Sequence, residues 1–253
     1  MSTDHRGDAP RGSWPEDPPT TPASVGGRAR PAGDLGEGPL GRITGTVYWF
    51  LIVGLLLVLS SLPSMVLLVL LDRASSNALL VPLCLVPAGP ALSAALYALR
   101  DRGRAESLTP GRSFWKGYRL NALDVLRLWT PAMLVLGVIA FSVVNIGQVG
   151  VPRAYAVVLL VIGAGILLWA LQALTIVSFY TFRARDVARL AIYYLVRLPL
   201  VTLGVLSLLV VAAAVVWLTS EGVLALFSVI WVWFLLNNAR PLLRDVEQRF
   251  VAH

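Results

Sequence analysis

The polar side chains inside the apolar stretches of this chain are few, and those that share a helical face are the first candidates for chemistry. Gln172, Thr175 and Ser178 are spaced three residues apart, which places them on one face of a helix. An amide and two hydroxyls can bind a neutral hydroxylated solute, or they can hydrogen-bond to neighbouring helices. Interhelical hydrogen bonding is the ordinary role of such residues in a membrane. We expect packing here and keep a solute path as the alternative.

Prolines and small residues make the second apolar stretch the other candidate. Pro82, Pro87 and Pro90 must distort or break a helix, because proline lacks the N–H of the helical hydrogen bond. Gly89 and Ser93 form a pair of small residues four apart, which lets another helix approach closely. A broken helix can line a substrate site in a transporter. We favour a packing kink, since no charged side chain lies nearby.

Catalytic and metal-binding motifs are missing from the sequence. It contains no HExxH, Walker or GxSxG motif, and its single cysteine, Cys84, excludes a disulfide or a multi-cysteine metal site within the chain. The two histidines, His5 and His253, lie near the chain ends, where packing does not hold them in a site. We therefore expect no enzymatic activity, no metal and no cofactor.

Composition places most of the chain in a membrane. Hydrophobic residues make up 57% and charged residues 14% of the 253 residues, whereas soluble domains have roughly 45–50% and about 25%. Six stretches without Asp, Glu, Lys, Arg or His approach or exceed the roughly 20 residues that cross a bilayer. They are residues 43–71, 78–99, 128–148, 154–182, 198–219 and 222–239. The sequence thus predicts an all-α, polytopic bundle of six transmembrane helices.

The remaining segments divide the chain into three parts. Residues 1–42 mix Pro, Gly, Ser, Thr and charges of both signs. They have little apolar surface to bury, so we predict a disordered N-terminal tail without a signal peptide. Residues 43–239 form the predicted membrane domain, and residues 240–253 form a C-terminal tail.

Basic residues are distributed asymmetrically between the two sides of the predicted bundle. All 21 Lys and Arg residues except Arg73 and Arg153 fall in the two tails and in segments 100–127 and 183–197. Because positive residues stay on the cytoplasmic side of a membrane, both termini are predicted to be cytoplasmic. The net charge of +7 follows from this topology and does not indicate nucleic acid as a partner.

Segment 100–127 predicts an amphipathic helix at the cytoplasmic membrane surface. On a helical wheel its cations lie on one face and its aromatic side chains on the other. The cationic face carries Lys116, Arg119 and Arg127, and the aromatic face carries Phe114, Trp115 and Tyr118. Such a helix turns its rings toward the acyl chains and its cations toward anionic headgroups. The alternative is that the rings pack against the bundle.

Segment 183–197 predicts a second helix of this kind, with Arg185 and Arg189 as interfacial cations. Both basic segments lead into an apolar stretch with an early proline followed by Leu-Gly-Val, at residues 136–138 and 203–205. Either an internal duplication or chance similarity between leucine-rich stretches explains this pattern.

Two features together resemble a known family. The run Pro87-Ala88-Gly89-Pro90-Ala91, with Ala94, Ala95 and Tyr97, is followed by Phe114-Trp115-Lys116-Gly117-Tyr118-Arg119-Leu120-Asn121. This combination resembles the bacterial YesL-like family, a membrane domain of unknown function, over about residues 40–240. Members of that family are small helical membrane proteins often encoded beside carbohydrate uptake genes. The resemblance implies a bacterial plasma membrane and a role near sugar transport, with carbohydrate transporter subunits as partners beside the lipid bilayer.

Three functional hypotheses follow. The first is a non-enzymatic accessory or regulatory component of carbohydrate uptake. The alternative is a transporter for a small neutral solute such as a sugar or polyol. The third, a membrane enzyme acting on lipid, has the least support, because no acid/base pair or nucleophile assembly is visible. A polar cluster where Asn121, Asp124 and Asp186 meet at the cytoplasmic face would favour it.

Overall fold

The computed structural model describes residues 39–72, 74–102, 109–148, 152, 154–218 and 221–248. Over these segments the regular secondary structure is entirely helical, which confirms the predicted all-α class. The predicted disordered tail lies outside the described residues up to residue 38, and so does the C-terminal tail beyond residue 248.

The described part of the chain contains nine α-helices and two short 3-10 helices. The α-helices are α1 Pro39–Leu70, α2 Leu80–Cys84, α3 Ala88–Asp101, α4 Pro110–Asn145, α5 Ala154–Val177, α6 Ala184–Arg197, α7 Pro199–Leu218, α8 Glu221–Asn238 and α9 Arg240–Val246. The 3-10 helices are Ser75–Leu79, which leads directly into α2, and Ile146–Gln148, which extends α4.

Five helical segments of the described chain are long and apolar enough to cross a membrane. They are Ile43–Leu70, Ser75–Asp101, Pro110–Gln148, Ala154–Val177 and Pro199–Leu218. A sixth arises if α8 and α9, which meet at a bend of 47°, count as one span. The structure therefore fits a polytopic membrane protein with five or six spans, against the six predicted.

Helix α4 differs from the prediction of a surface helix followed by a separate third span. It runs without a break for 36 residues, a length of about 54 Å, well beyond a hydrocarbon core of about 30 Å. No glycine or proline lies between residues 118 and 130 to interrupt it. The predicted surface segment is thus the first half of a helix that continues into the third apolar stretch.

Helix α5 ends at Val177, five residues before the predicted end of the fourth span. The Ser178 hydroxyl bonds back to the carbonyl oxygen of Leu174 at 2.6 Å, and that oxygen also accepts the Ser178 N–H at 3.0 Å. The second basic segment forms its own helix, α6. That helix stops at Arg197, since Pro199 begins α7 and disfavours helical geometry at Leu198.

Contacts between helix ends bring the arginine-rich segments together at one end of the bundle, which we call the basic end. The contacts join Arg102 to Thr46, Ser113 to Asp101, Tyr180 to Leu243, and Asn238 to Val201. They gather the starts of α1, α4 and α7 with the ends of α3, α5 and α8. This arrangement is the one expected for antiparallel neighbours that cross a membrane in turn.

Small side chains and tryptophans hold the bundle together. The alanines on the inner face of α3 are fully buried, which lets α1 and α4 approach the α3 backbone closely. Four indole N–H groups donate to backbone carbonyls: Trp49 to Ala98, Trp129 to Leu85, Trp169 to Ala188, and Trp231 to Leu208. A polar N–H surrounded by hydrocarbon needs such a partner, so each indole ties its helix to another part of the bundle.

Candidate functional site

The break in the second apolar stretch is filled by protein. Helix α2 ends at Cys84 and α3 begins at Ala88. The carbonyl of Leu85, inside the break, accepts a hydrogen bond of 3.1 Å from the indole N–H of Trp129 on α4. Gly89 faces the same ring, and a Cβ at Gly89 would lie only 2.7 Å from the Trp129 Cδ1. The geometry is that of a packing kink.

The other small and proline positions of this stretch lie around that kink. Pro90 and Ser93 are buried within the bundle, and Pro87 is half-buried.

Ser93 belongs to a buried hydrogen-bond network that joins three elements. Its hydroxyl lies 2.7 Å from the Ser178 hydroxyl, and the Asn121 amide donates to the Ser178 carbonyl at 3.0 Å and lies 3.4 Å from Ser93 Oγ. A serine has one hydroxyl proton. The Ser178 hydroxyl lies within donating distance of both Ser93 Oγ and the Leu174 carbonyl oxygen, so its one proton serves these two acceptors in turn. The network locks α3 and α4 to the end of α5.

The polar cluster required for a lipid-directed enzyme does not form. Asp124 pairs with Arg127 at 2.8 Å on an exposed surface of α4, and Asp186 is exposed on α6. Asn121 is turned toward Ser93 and Ser178 instead. Among the described residues, no group of three or more His, Cys, Asp or Glu side chains could hold a metal ion.

Gln172 joins α5 to α7. Its amide nitrogen donates to the Thr202 hydroxyl at 3.0 Å, and that hydroxyl donates to the Leu195 carbonyl at 2.9 Å. The Oε1 atom of Gln172 is buried without a hydrogen-bond partner. Thr175 is also buried but bonds only to the Leu171 carbonyl of its own helix, at 2.8 Å. The shared face predicted from sequence exists, although its members serve separate contacts.

The position of Gln172 along the membrane also differs from the expectation. The predicted fourth span, residues 154–182, puts this residue near its middle. Because α5 ends at Val177, Gln172 is five residues from the helix end, a distance of about 7.5 Å. Its partner Thr202 lies in the first turn of α7, so the contact is close to the basic end.

An open groove of about 600 Å³ lies between α2, α4 and α5 and reaches α7 and α8. Its walls are almost wholly apolar, including Leu92, Met133 and Leu167. Neither Gln172 nor Ser93 contributes to its lining. The polar residues of the spans and this apolar groove are therefore separate features.

The aromatic residues of the first basic segment do not all face the same surroundings in α4. Phe114 is fully buried, whereas Trp115 is 49% exposed and stacks on Tyr118 with ring centroids 5.4 Å apart. The contact seam runs through Gly117, where a Cβ would lie 2.7 Å from the Cβ of Tyr97 on α3. A helical wheel sorts positions by the polarity of their side chains. It therefore does not indicate that Gly117 lies on the line of contact with α3.

The predicted interfacial cations lie on the surface of the bundle. Lys116, Arg119 and Arg127 of α4 are exposed, as are Arg185 and Arg189 of α6. The Arg119 guanidinium also lies 5.6 Å from the Trp115 ring, within the range of a cation–π contact. These exposed side chains can meet lipid headgroups or another protein, and Arg127 does so while paired with Asp124.

A family model agrees with the first half of this architecture. The model described as "Protein of unknown function, DUF624" matches residues 43–143, which include most of α1 and α4 and all of α2 and α3. This part of the chain is similar to the DUF624 family. The expected YesL-like resemblance is thereby confirmed for residues 43–143, a shorter range than the expected 40–240. Comparison with curated proteins gave no match, and comparison with solved structures gave none.

Proposed function

We propose that the chain is a non-enzymatic membrane protein that assists or regulates a carbohydrate uptake system. The observation that carries this proposal is the separation of the polar side chains from the open space between the helices. Buried Ser93 and half-buried Asn121 are engaged in hydrogen bonds between helices, while the groove between α2, α4 and α5 is apolar. A pathway for a sugar would need polar groups along its walls.

The exposed cations of α4 and α6 supply the contact surface in this proposal. Lys116 and Arg119 project from α4, and Arg185 and Arg189 project from α6. By the positive-inside rule the basic end and both termini face the cytoplasm of a bacterial cell. There the cations would meet anionic lipid or the cytoplasmic parts of transporter subunits.

Co-purification in mild detergent tests the proposal. The intact chain is expected to bring down a carbohydrate transporter subunit, and the double variant Arg185→Glu/Arg189→Glu should lose it. A matched double variant on the outer face of α5, Val157→Ala/Val161→Ala, removes exposed apolar surface instead and should retain it. Recovery of the chain without any transporter subunit would contradict the proposal.

Transport of a small neutral solute is the second candidate, and the unpaired Oε1 of buried Gln172 is the observation that favours it. A carbonyl oxygen without a partner can accept a hydrogen bond from a solute hydroxyl. Purified protein in liposomes would then move a sugar or polyol, and Gln172→Leu would reduce the flux. Under the first proposal the liposomes show no flux.

A further inference from the structure

A cavity of about 660 Å³ opens at the basic end between α1, α3, α8 and α9. Its charged lining consists of Arg100, Arg102, Arg240, Arg244 and Glu247. The four guanidinium groups outnumber the one carboxylate, so the cavity carries an excess of positive charge. Among the described residues, none of these arginines forms an ion pair with a carboxylate.

The two arginines at the end of α3 are held by contacts that leave their charge uncompensated. The Arg100 guanidinium lies 4.6 Å from the centre of the Phe179 ring. Arg102 donates to the Thr46 hydroxyl at 2.9 Å and lies 5.5 Å from the centre of the Phe50 ring. Aromatic and hydroxyl partners orient a guanidinium without neutralising it.

Helix α9 presents the other two arginines from a packed element. Its apolar side chains, Leu242, Leu243 and Val246, are buried against the bundle. The Tyr180 hydroxyl donates to the Leu243 carbonyl at 3.0 Å, which fastens α9 to the segment after α5. Arg240 and Arg244 are four residues apart and therefore line the cavity side by side.

We propose that this cavity binds a phosphate-bearing anion. Like charges four residues apart on a helix repel each other, and a bound anion would relieve that repulsion. The planar guanidinium matches the geometry of phosphate oxygens, and several arginines can share one phosphate. The rings of Phe50 and Trp233, with centroids 6.2 Å apart, form an apolar wall for the organic part of the ligand.

The same chemistry has two sources, the headgroup of an anionic lipid and a soluble phosphate ester. The cavity lies at the end of the apolar spans, where headgroups are found, and its volume is in the range of small-molecule sites. The proposal does not depend on a role in carbohydrate uptake, because it rests on the charges and contacts of this cavity alone.

Two measurements on the full chain in uncharged detergent test the proposal and distinguish the sources. In the first, glycerol 1-phosphate is titrated calorimetrically, with glycerol as the uncharged control. In the second, the protein is equilibrated with mixed micelles of equal amounts of phosphatidylglycerol and phosphatidylcholine, and native mass spectrometry counts the lipid retained. Arg240→Gln and Arg244→Gln are compared with Arg183→Gln, which removes an exposed arginine outside the cavity.

Each cavity variant should weaken binding about tenfold, the typical effect of losing a hydrogen bond to a charged group. Arg183→Gln should bind as the unchanged protein does. Loss in the glycerol phosphate titration assigns a soluble ester, and loss of phosphatidylglycerol retention alone assigns a lipid headgroup. The proposal is overturned if neither probe binds, or if the cavity variants bind as well as Arg183→Gln.

Discussion

Substitution of Gly137 by alanine tests how closely α4 packs against the start of the second apolar stretch. A Cβ at Gly137 would meet the carbonyl oxygen of Leu79 inside van der Waals contact, and it would lie 3.4 Å from the carbonyl carbon. The obstacle is backbone in a 3-10 turn that continues directly into α2. It cannot move aside as the end of a flexible side chain can.

The magnitude follows from two opposed effects. Forcing one extra carbon into a well-packed site destabilises a protein by about 1–3 kcal/mol. Replacing glycine by alanine inside a helix stabilises it by about 0.5–1 kcal/mol. Gly165, in α5, has nothing within 4 Å of its would-be Cβ, so Gly165→Ala isolates the second effect. The helix-propensity gain cancels between the variants, and Gly137→Ala should be about 1–3 kcal/mol less stable than Gly165→Ala.

Reversible unfolding in mixed micelles of dodecyl maltoside and increasing SDS provides the assay. Far-ultraviolet circular dichroism follows the transition, and the midpoint and slope give the free energy of unfolding for each variant. If Gly137→Ala proves as stable as Gly165→Ala, the close approach of α4 to Leu79 and the packing argument built on it are refuted.

The same titration checks three further substitutions. Asn121→Ala removes the amide that bonds to Ser178 and should lower the free energy of unfolding by about 1 kcal/mol; equal stability to Leu120→Ala, an exposed control, would contradict this. Trp129→Phe removes the indole N–H that donates to the Leu85 carbonyl in the break between α2 and α3. This substitution should also lower the free energy of unfolding by about 1 kcal/mol. Gln172→Leu should change it by less than about 0.6 kcal/mol, since one lost hydrogen bond is offset by removal of the unpaired Oε1; a larger loss would assign Gln172 an essential structural contact.

The kink at Pro87 and the close approach at Gly89 were predictable because they depend on residue type alone. Proline removes a backbone donor wherever it stands, and glycine carries no side chain in any fold. The face of α4 that packs against α3 was not predictable, because the contact between the two helices follows Gly117 and the Tyr97 side chain that lies against it. Helical wheels record the polarity of side chains and miss the places where a side chain is absent.

The polar network illustrates the other limit. Ser93 and Gln172 were recognisable as unusual polar residues in apolar stretches. The partners of Ser93 were not recognisable, because Asn121 and Ser178 are separated by 57 residues in the sequence and meet only through the packing of α4 against the end of α5. The amino-acid sequence does not show that two such residues lie close together in space.

The amino-acid sequence by itself determined the helical membrane class and the asymmetric distribution of arginines. Both follow from a local cost, since each charged side chain placed in hydrocarbon costs about 2.5–3.5 kcal/mol wherever it occurs in the chain. Only the tertiary structure decided that Arg100 and Arg102 would share a cavity with Arg240 and Arg244. That meeting depends on helix ends brought together by Tyr180 and on the bend between α8 and α9, and such long-range contacts exist only once the chain has folded.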